Sequence, residues 1–153
     1  MTIRFFSNSA PFPVEIDGEM RASTEHYYQA QKFTDPELRA KISAGKKPVV
    51  AKKLAGKRMN AVRPDWSELK DAVMERAVRA KFEQHAALRD LLLSTDEEDL
   101  AEAASSDYYW GVGADSSGQN RLGLLLMRVR SELGIAAGVI PAQAGTQPPP
   151  VLE

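Results

Sequence analysis

The chain has 153 residues, 43% hydrophobic content and a formal net charge of −1, enough for one domain with a real core and too little for two. It contains no cysteine and only two histidines, His26 and His85, which excludes disulfides, thiolate zinc sites and cysteine nucleophiles and argues against a histidine-rich metal centre. The segment MTIRFFSNSA lacks the apolar core of a signal peptide, and no run of about 18 apolar residues is present to span a bilayer, so a cytoplasmic protein is expected.

Phe12 to Ile16 alternates weakly and runs into the turn dipeptide Asp17-Gly18, which predicts a small hairpin or extended arm. TEHYYQAQKF follows, from Thr24 to Phe33. Thr24 is the expected cap of this short helix, and Glu25 in its first turn suits the positive end of the helix dipole. At about 100° per residue, Glu25, Tyr28, Gln29 and Lys32 share a sector of about 100°, with Glu25 and Lys32 about 20° apart in direction. Tyr27, Ala30 and Phe33 point elsewhere. One edge can pack while the other faces a polar cavity, and that division marks a site.

Pro36 and Pro48 suit first helical positions, with Gly45 and Gly56 as the matching stops, so two further short helices are predicted. From Leu38 to Pro64 there is no acidic residue, whereas Arg39, Lys41, Lys46, Lys47, Lys52, Lys53, Lys57, Arg58 and Arg63 are all cationic. Such a surface can hold phosphate groups, although a solvated face is the blander account of any charge run. Arg63 and Lys57 are candidate phosphate ligands.

Asp65 is expected to open the longest helix, ending near His85, with Trp66, Leu69, Val73, Ala77 and Ala80 as its buried stripe. An apolar segment at Ala86 to Leu93 follows, and a last helix is predicted over Arg121 to Leu133, packed through Leu122, Leu125, Leu126 and Val129 and stopped by Gly134. Before it lie the acidic residues Asp96, Glu97, Glu98, Asp99, Glu102 and Asp107, then the loop DYYWGVGADSSGQNRLG. In that loop Tyr108, Tyr109 and Trp110 lead into Gly111, Gly113 and Gly118, and Asn120 heads the helix. Glycines let backbone approach a ligand, aromatic faces stack on bases, and a helix N-terminus offers N–H groups to an anion. A glycine-rich loop anchored by its aromatics is equally consistent with the pattern, and no Gly-Lys-Ser/Thr ends it as in a P-loop. From Ala136 to Glu153 the composition turns to Pro, Gly and Gln, which predicts a disordered tail outside a domain of residues 1–135. The predicted class is mainly α, an α+β chain with a minor N-terminal β element.

Taken in order, FSN at Phe6 to Asn8, the Asp17-Gly18 turn, TEHYYQAQKF, RPDW at Arg63 to Trp66, AKFEQH at Ala80 to His85, DYYWG at Asp107 to Gly111 and GQNRLGLLLMRVR at Gly118 to Arg130 closely resemble the YbiA-like, or NADAR, family. The resemblance spans about Phe6 to Leu133. It implies a multihelical YbiA-like single domain that cleaves an N-glycosidic bond. Family members are described as N-glycosidases acting on the ribosylamine bond of phosphorylated riboflavin-pathway intermediates, while others remove ADP-ribose from guanine bases in nucleic acid. A non-catalytic ADP-ribose or nucleotide-binding module is a third expectation.

By this resemblance Glu25, Trp66 and Asp107 match positions regarded as functional, and Lys32 matches a lysine proposed to attack the anomeric carbon. The residue types suit the reaction. Positive charge builds on C1′ and the ring oxygen, so a carboxylate such as Glu25 stabilises the transition state and can take a proton from water. Lys32 could instead form a Schiff base with the ring-opened sugar. Trp66 and Trp110 are candidate stacking platforms, and Asp107 is placed to hold a ring edge or a ribose hydroxyl. Tyr28, Arg63, Gly111 and Asn120 complete the expected substrate-binding set. Lys81 and His85 are read as structural, and a metal-free, cofactor-free mechanism is expected. The chain departs from the family pattern twice: the strand common before FSN is reduced to Met1 to Phe5, and the usual Trp-Pro before the glutamate is replaced by Arg21-Ala22-Ser23. These changes are expected to alter the first strand and one wall of the pocket.

Overall fold

A computed structural model describes residues 4–104 and 106–141, which fall into two compact units, one of residues 4–88 and one of the described residues from 89 to 141. Six α-helices and one two-stranded antiparallel sheet are found among the described residues.

The first unit opens with a 3-10 turn at Arg4–Phe6 and the hairpin β1 (Val14–Ile16) and β2 (Glu19–Arg21), in which Val14 faces Arg21, Glu15 faces Met20 and Ile16 faces Glu19. Asp17 and Gly18 both take positive φ, 57° and 76°, the left-handed pair that a two-residue hairpin turn requires. Val14 and Ile16 are buried while Glu15 between them is exposed, the period of two expected of a strand with one packed face. The hairpin is seated by Gln84, whose amide accepts from Glu15 N–H and donates to Glu15 C=O, both at 2.7 Å.

Three short helices follow, α1 (Thr24–Gln31), α2 (Pro36–Ser43) and α3 (Pro48–Gly56), with prolines at the starts of α2 and α3 as expected. Ala30, Phe33, Leu38, Ile42, Ala51 and Ala55 join them in one core cluster. Loss of the fully buried Phe33 ring would cost about 3–5 kcal/mol. The long α4 (Trp66–Gln84) contributes Ala77 to a second cluster with Val14, Ile16 and Tyr27.

Two sequence expectations are corrected here. The cap of α1 is Ser23, not Thr24: the Ser23 hydroxyl accepts from His26 N–H at 3.2 Å, and Thr24 donates its hydroxyl to Asn8 Oδ1 at 2.9 Å. The face that α4 buries is also turned from the expected stripe. Met74, Ala77, Val78, Lys81 and Phe82 are its buried residues, and Val73 and Ala80 are only partly covered beside the hairpin cluster. Lys81 explains the difference, since its ammonium donates to Ser7 C=O at 2.9 Å and lies 5.4 Å from the Phe12 ring centre. A lysine with its head group satisfied packs its stem as a core residue, which a hydrophobic pattern does not register.

The helix α5 (Ala86–Ser94) crosses the division between the units. Within the second unit, α6 (Arg121–Ala136) buries Leu122, Leu125, Leu126 and Val129 as expected. Arg130, also buried, donates to Thr95 Oγ1 and to Glu98 C=O, each at 2.8 Å. The helix does not stop at Gly134. It runs on to Ala136 and turns at Gly138 with φ of 75°, while Gly134 lies within the helix where a side chain would meet Ile140. Most of the expected tail, residues 142–153, lies outside the described residues.

Candidate active site

In the first unit the FSN motif and the α1 cap hold Glu25 in place from its own backbone. Glu25 N–H donates to Asn8 C=O at 3.3 Å, and Asn8 also accepts the Thr24 hydroxyl and donates its amide to Met74 Sδ. One residue further on, His26 is buried with Nε2 at 2.7 Å from Gly45 C=O and Nδ1 at 2.7 Å from Ser23 Oγ. A carbonyl only accepts, so Nε2 carries a proton, and the Ser23 hydroxyl is the partner of Nδ1. Serine cap, histidine and glycine carbonyl thereby tie the first turn of α1 to the chain after α2.

From that turn a partly buried Glu25 carboxylate accepts a hydrogen bond from the Gln29 side-chain amide, at 2.7 Å. An ionised carboxylate has no proton to give, so the nitrogen of Gln29 must face it and the Gln29 oxygen must face away. That oxygen is buried and has no hydrogen-bond partner. Lys32, the residue that ends α1, keeps helical φ and ψ of −63° and −17°, so it remains on the Glu25 track about 10 Å along the axis. Its ammonium lies 5.4 Å from the Tyr28 ring centre, the attractive side of an aromatic face. Tyr28 in turn meets Trp66 edge to face at 5.1 Å between centroids. The expected residues Tyr28, Lys32 and Trp66 are thus in contact beside α1, with Trp66 the first residue of α4, and Glu25 shares their helical face through its bond to Gln29.

Arg63 sits where its N–H donates to Lys32 C=O at 2.8 Å. Its guanidinium grips Asp65 through Nε at 2.6 Å and Nη2 at 3.1 Å. That hydrogen bond is the main reason the Asp65 carboxyl is held below the usual carboxylate range and the Arg63 guanidinium above its own. RPDW is therefore a clasp that joins the end of α1 to the start of α4.

In the second unit Asp107 organises the aromatic loop, its Oδ1 accepting from Tyr109 N–H at 3.0 Å and Trp110 N–H at 2.8 Å. Trp110 meets Tyr109 edge to face at 4.9 Å, and the Arg121 guanidinium lies 5.1 Å from the Tyr109 ring centre. At Gly111 the close approach is to the chain's own carbonyls, because an added Cβ would lie 2.8 Å from Glu102 O. Asn120, in the left-handed region with φ of 50°, donates to Leu100 C=O at 2.9 Å and accepts from Glu102 N–H at 3.0 Å. The expected anion site at the start of α6 is not present. Asn120, Arg121 and Leu122 give their N–H groups to the carbonyls of Gly111, Tyr109 and Trp110, so the helix end is satisfied by the preceding loop.

A model of the NADAR domain matches residues 1–134 of the chain. The protein belongs to the NADAR domain family. Among its relatives, N-glycosidase YbiA of Escherichia coli is 46% identical over 130 residues, covering 85% of this chain and 81% of that protein. N-glycosidase Npun_R5314 of Nostoc punctiforme is 40% identical over 131 residues, 84% of each chain. The NMR structure of E. coli YbiA superimposes with a TM-score of 0.81 at 45% identity, over 86% of this chain and 79% of the other. The mainly α class with its minor N-terminal β element is the architecture of this NADAR chain.

Gln29 is the residue of this NADAR site to which the sequence assigned no role. Its place on the Glu25 face was visible from helical spacing, but its orphaned oxygen depends on what α1 packs against. No group of three His, Asp or Glu side chains able to hold a metal ion occurs among the described residues.

Proposed function

We propose that this NADAR protein is an N-glycosidase that hydrolyses the C1′–N bond of phosphorylated ribosylamine intermediates of riboflavin biosynthesis. A riboflavin biosynthesis protein of Vibrio vulnificus, 39% identical over 84% of this chain and 35% of that longer protein, supports that substrate class alongside the N-glycosidase relatives. The observation that carries the catalytic assignment is the Glu25 carboxylate, oriented by Gln29 and set on the same helical face as Lys32.

The reaction breaks the C1′–N bond with its electron pair leaving on nitrogen. Glu25 offsets the positive charge that develops at C1′ and the ring oxygen, then takes the proton of the water that bonds to C1′, and the departing amine gains a proton. Lys32 offers a second route: its neutral amine bonds to C1′ as the C1′–N bond breaks, its proton passes to the departing amine, the C1′–ring oxygen bond opens to give a Schiff base, and water hydrolyses it. Asp107 is assigned to a ribose hydroxyl or ring edge. Tyr28 and Trp66 are assigned to the base and Arg63 to the phosphate. A cytoplasmic location belongs to the same proposal and is compatible with the cysteine-free sequence.

The names of the relatives favour this reading over release of ADP-ribose from guanine in nucleic acid. Incubation with a phosphorylated ribosylamine and, separately, with ADP-ribosylated guanine, followed by mass analysis, tests it. Release of the free amine and ribose 5-phosphate from the first alone is expected. Turnover of the second alone would overturn it.

A further inference from the structure

Tyr27 and Gln31 are four residues apart on α1 and share a face turned at least about 100° from Glu25 and Lys32. Two arginines reach that face. The Arg21 guanidinium lies 5.5 Å from the Tyr27 ring centre, and Arg39 Nη2 donates to Gln31 Oε1 at 3.1 Å. Both arginines border a cavity of about 580 Å³, together with Glu19, Thr34 and Ser43.

The polar groups here are unbalanced. Arg21 is only 8% exposed, and its Nη2 pairs with Glu19 at 3.1 Å, yet its Nε is buried without an acceptor. Gln31 Nε2 is likewise buried without one, because its oxygen is taken by Arg39. Among the described residues no carboxylate pairs with Arg39. Against the single carboxylate of Glu19 the cavity lining sets the guanidiniums of Arg21 and Arg39 and the hydroxyls of Thr34 and Ser43, with the Arg21 Nε orphaned. A buried donor without a partner is destabilising, so a ligand rich in acceptor oxygens would be stabilised. A phosphate group supplies such oxygens with matching charge, and Arg forks match its geometry. The cavity is larger than inorganic phosphate and falls within the range of about 300–1,000 Å³ usual for small-ligand sites. Arg21 belongs to the Arg21-Ala22-Ser23 segment, where the sequence departs from the family pattern.

We propose that Arg21, Arg39, Thr34 and Ser43 form a second binding site, for a small phosphate monoester such as a sugar phosphate, on the opposite flank of α1 from Glu25 and Lys32. The site does not depend on the glycosidase assignment.

Amide NMR titrations of the full chain with inorganic phosphate and with ribose 5-phosphate, against sodium chloride at equal ionic strength, test it. Saturable shifts at Thr34, Arg39 and Ser43 are expected with both phosphates and not with chloride, with Kd on the order of 1 mM or tighter. If the site selects the sugar as well as the phosphate, ribose 5-phosphate binds more tightly than the inorganic ion. Arg39→Gln should weaken phosphate binding at least about tenfold, and Arg39→Lys by less, since lysine keeps the charge and loses the fork. Glu25→Gln should titrate like the parent, which separates this site from the catalytic face. Phosphate affinity unchanged in both Arg39 variants, shifts confined to Lys32, Arg63 and Trp66, or no saturable shift at all would overturn the proposal.

Discussion

The Gln29 amide donates to the Glu25 carboxylate at 2.7 Å, and this bond leaves the Gln29 oxygen buried without a donor. The pair therefore orients the proposed base at a cost in stability. Replacing Gln29 by Leu removes the orphaned acceptor, so thermal stability should be unchanged or raised by about 1 kcal/mol. Activity should nevertheless fall about 10- to 100-fold, because a carboxylate free to rotate loses its productive geometry. A thermal melt and kcat measured on the same preparation check both signs, and an equal loss of stability and activity would speak for a purely structural glutamine.

Glu25→Gln keeps the size of the side chain and removes the base. Activity on a phosphorylated ribosylamine should drop about 10³-fold while the folded spectrum is retained. Full turnover in this variant would remove Glu25 from the mechanism.

Lys32 distinguishes the two chemical routes. If its amine attacks C1′, borohydride added during turnover should trap a sugar phosphate on Lys32, seen as a mass increase. Lys32→Arg, which keeps a cation beside Tyr28 and cannot form the adduct, should lose at least about 100-fold in rate. An active Lys32→Arg enzyme would leave direct attack by water as the route.

The clasp between Arg63 and Asp65 carries a pH signature. The hydrogen bond from Arg63 lowers the Asp65 carboxyl from its usual range. A lowered folded-state value gives stabilisation that is present above the unfolded carboxylate range and lost as pH falls through the lowered value. Asp65→Asn should therefore be less stable than the parent at neutral pH, with the difference fading in acid. Urea unfolding of both proteins across that range is the measurement, and a difference that persisted at low pH would contradict the assignment.

Asn120 holds two backbone groups in the loop before α6, the Leu100 carbonyl and the Glu102 N–H. Asn120→Ala should destabilise the chain by about 2 kcal/mol or more, since both partners lose their bond and alanine tolerates the left-handed backbone less well. Chemical denaturation reads this directly. A stable variant with weakened substrate binding would instead favour the substrate-contact role.

Local chemistry made much of the first unit legible. Asp17-Gly18 announced the hairpin, Pro36 and Pro48 announced helix starts, and the spacing of Glu25, Tyr28 and Lys32 placed them on one side of α1. The cap of α1 lies one residue before the expected Thr24 because Ser23 and Thr24 are both good caps, and only the partners Asn8 and His26 choose between them. In the second unit the loop from Asp107 to Asn120 carried the right residue types for ligand contacts. Their hydrogen bonds run largely within the chain, since a loop that folds back on a helix end satisfies its own donors first.

The sequence by itself determined the family, the mainly α class, the hairpin turn and the helical face that carries Glu25 and Lys32. These follow from motifs, turn residues and periodicity, all of which act over a few residues. The tertiary structure alone decided that Lys81 is core, that Gln29 orients Glu25 and keeps an unpaired oxygen, that Arg63 clasps Asp65, and that Arg21 and Arg39 border one cavity. In the bond to Ser7 C=O, a residue far from Lys81 in the chain supplies the partner. For Gln29, Arg21 and Gln31 it is burial that leaves a polar atom without one, and burial is set by how the helices pack.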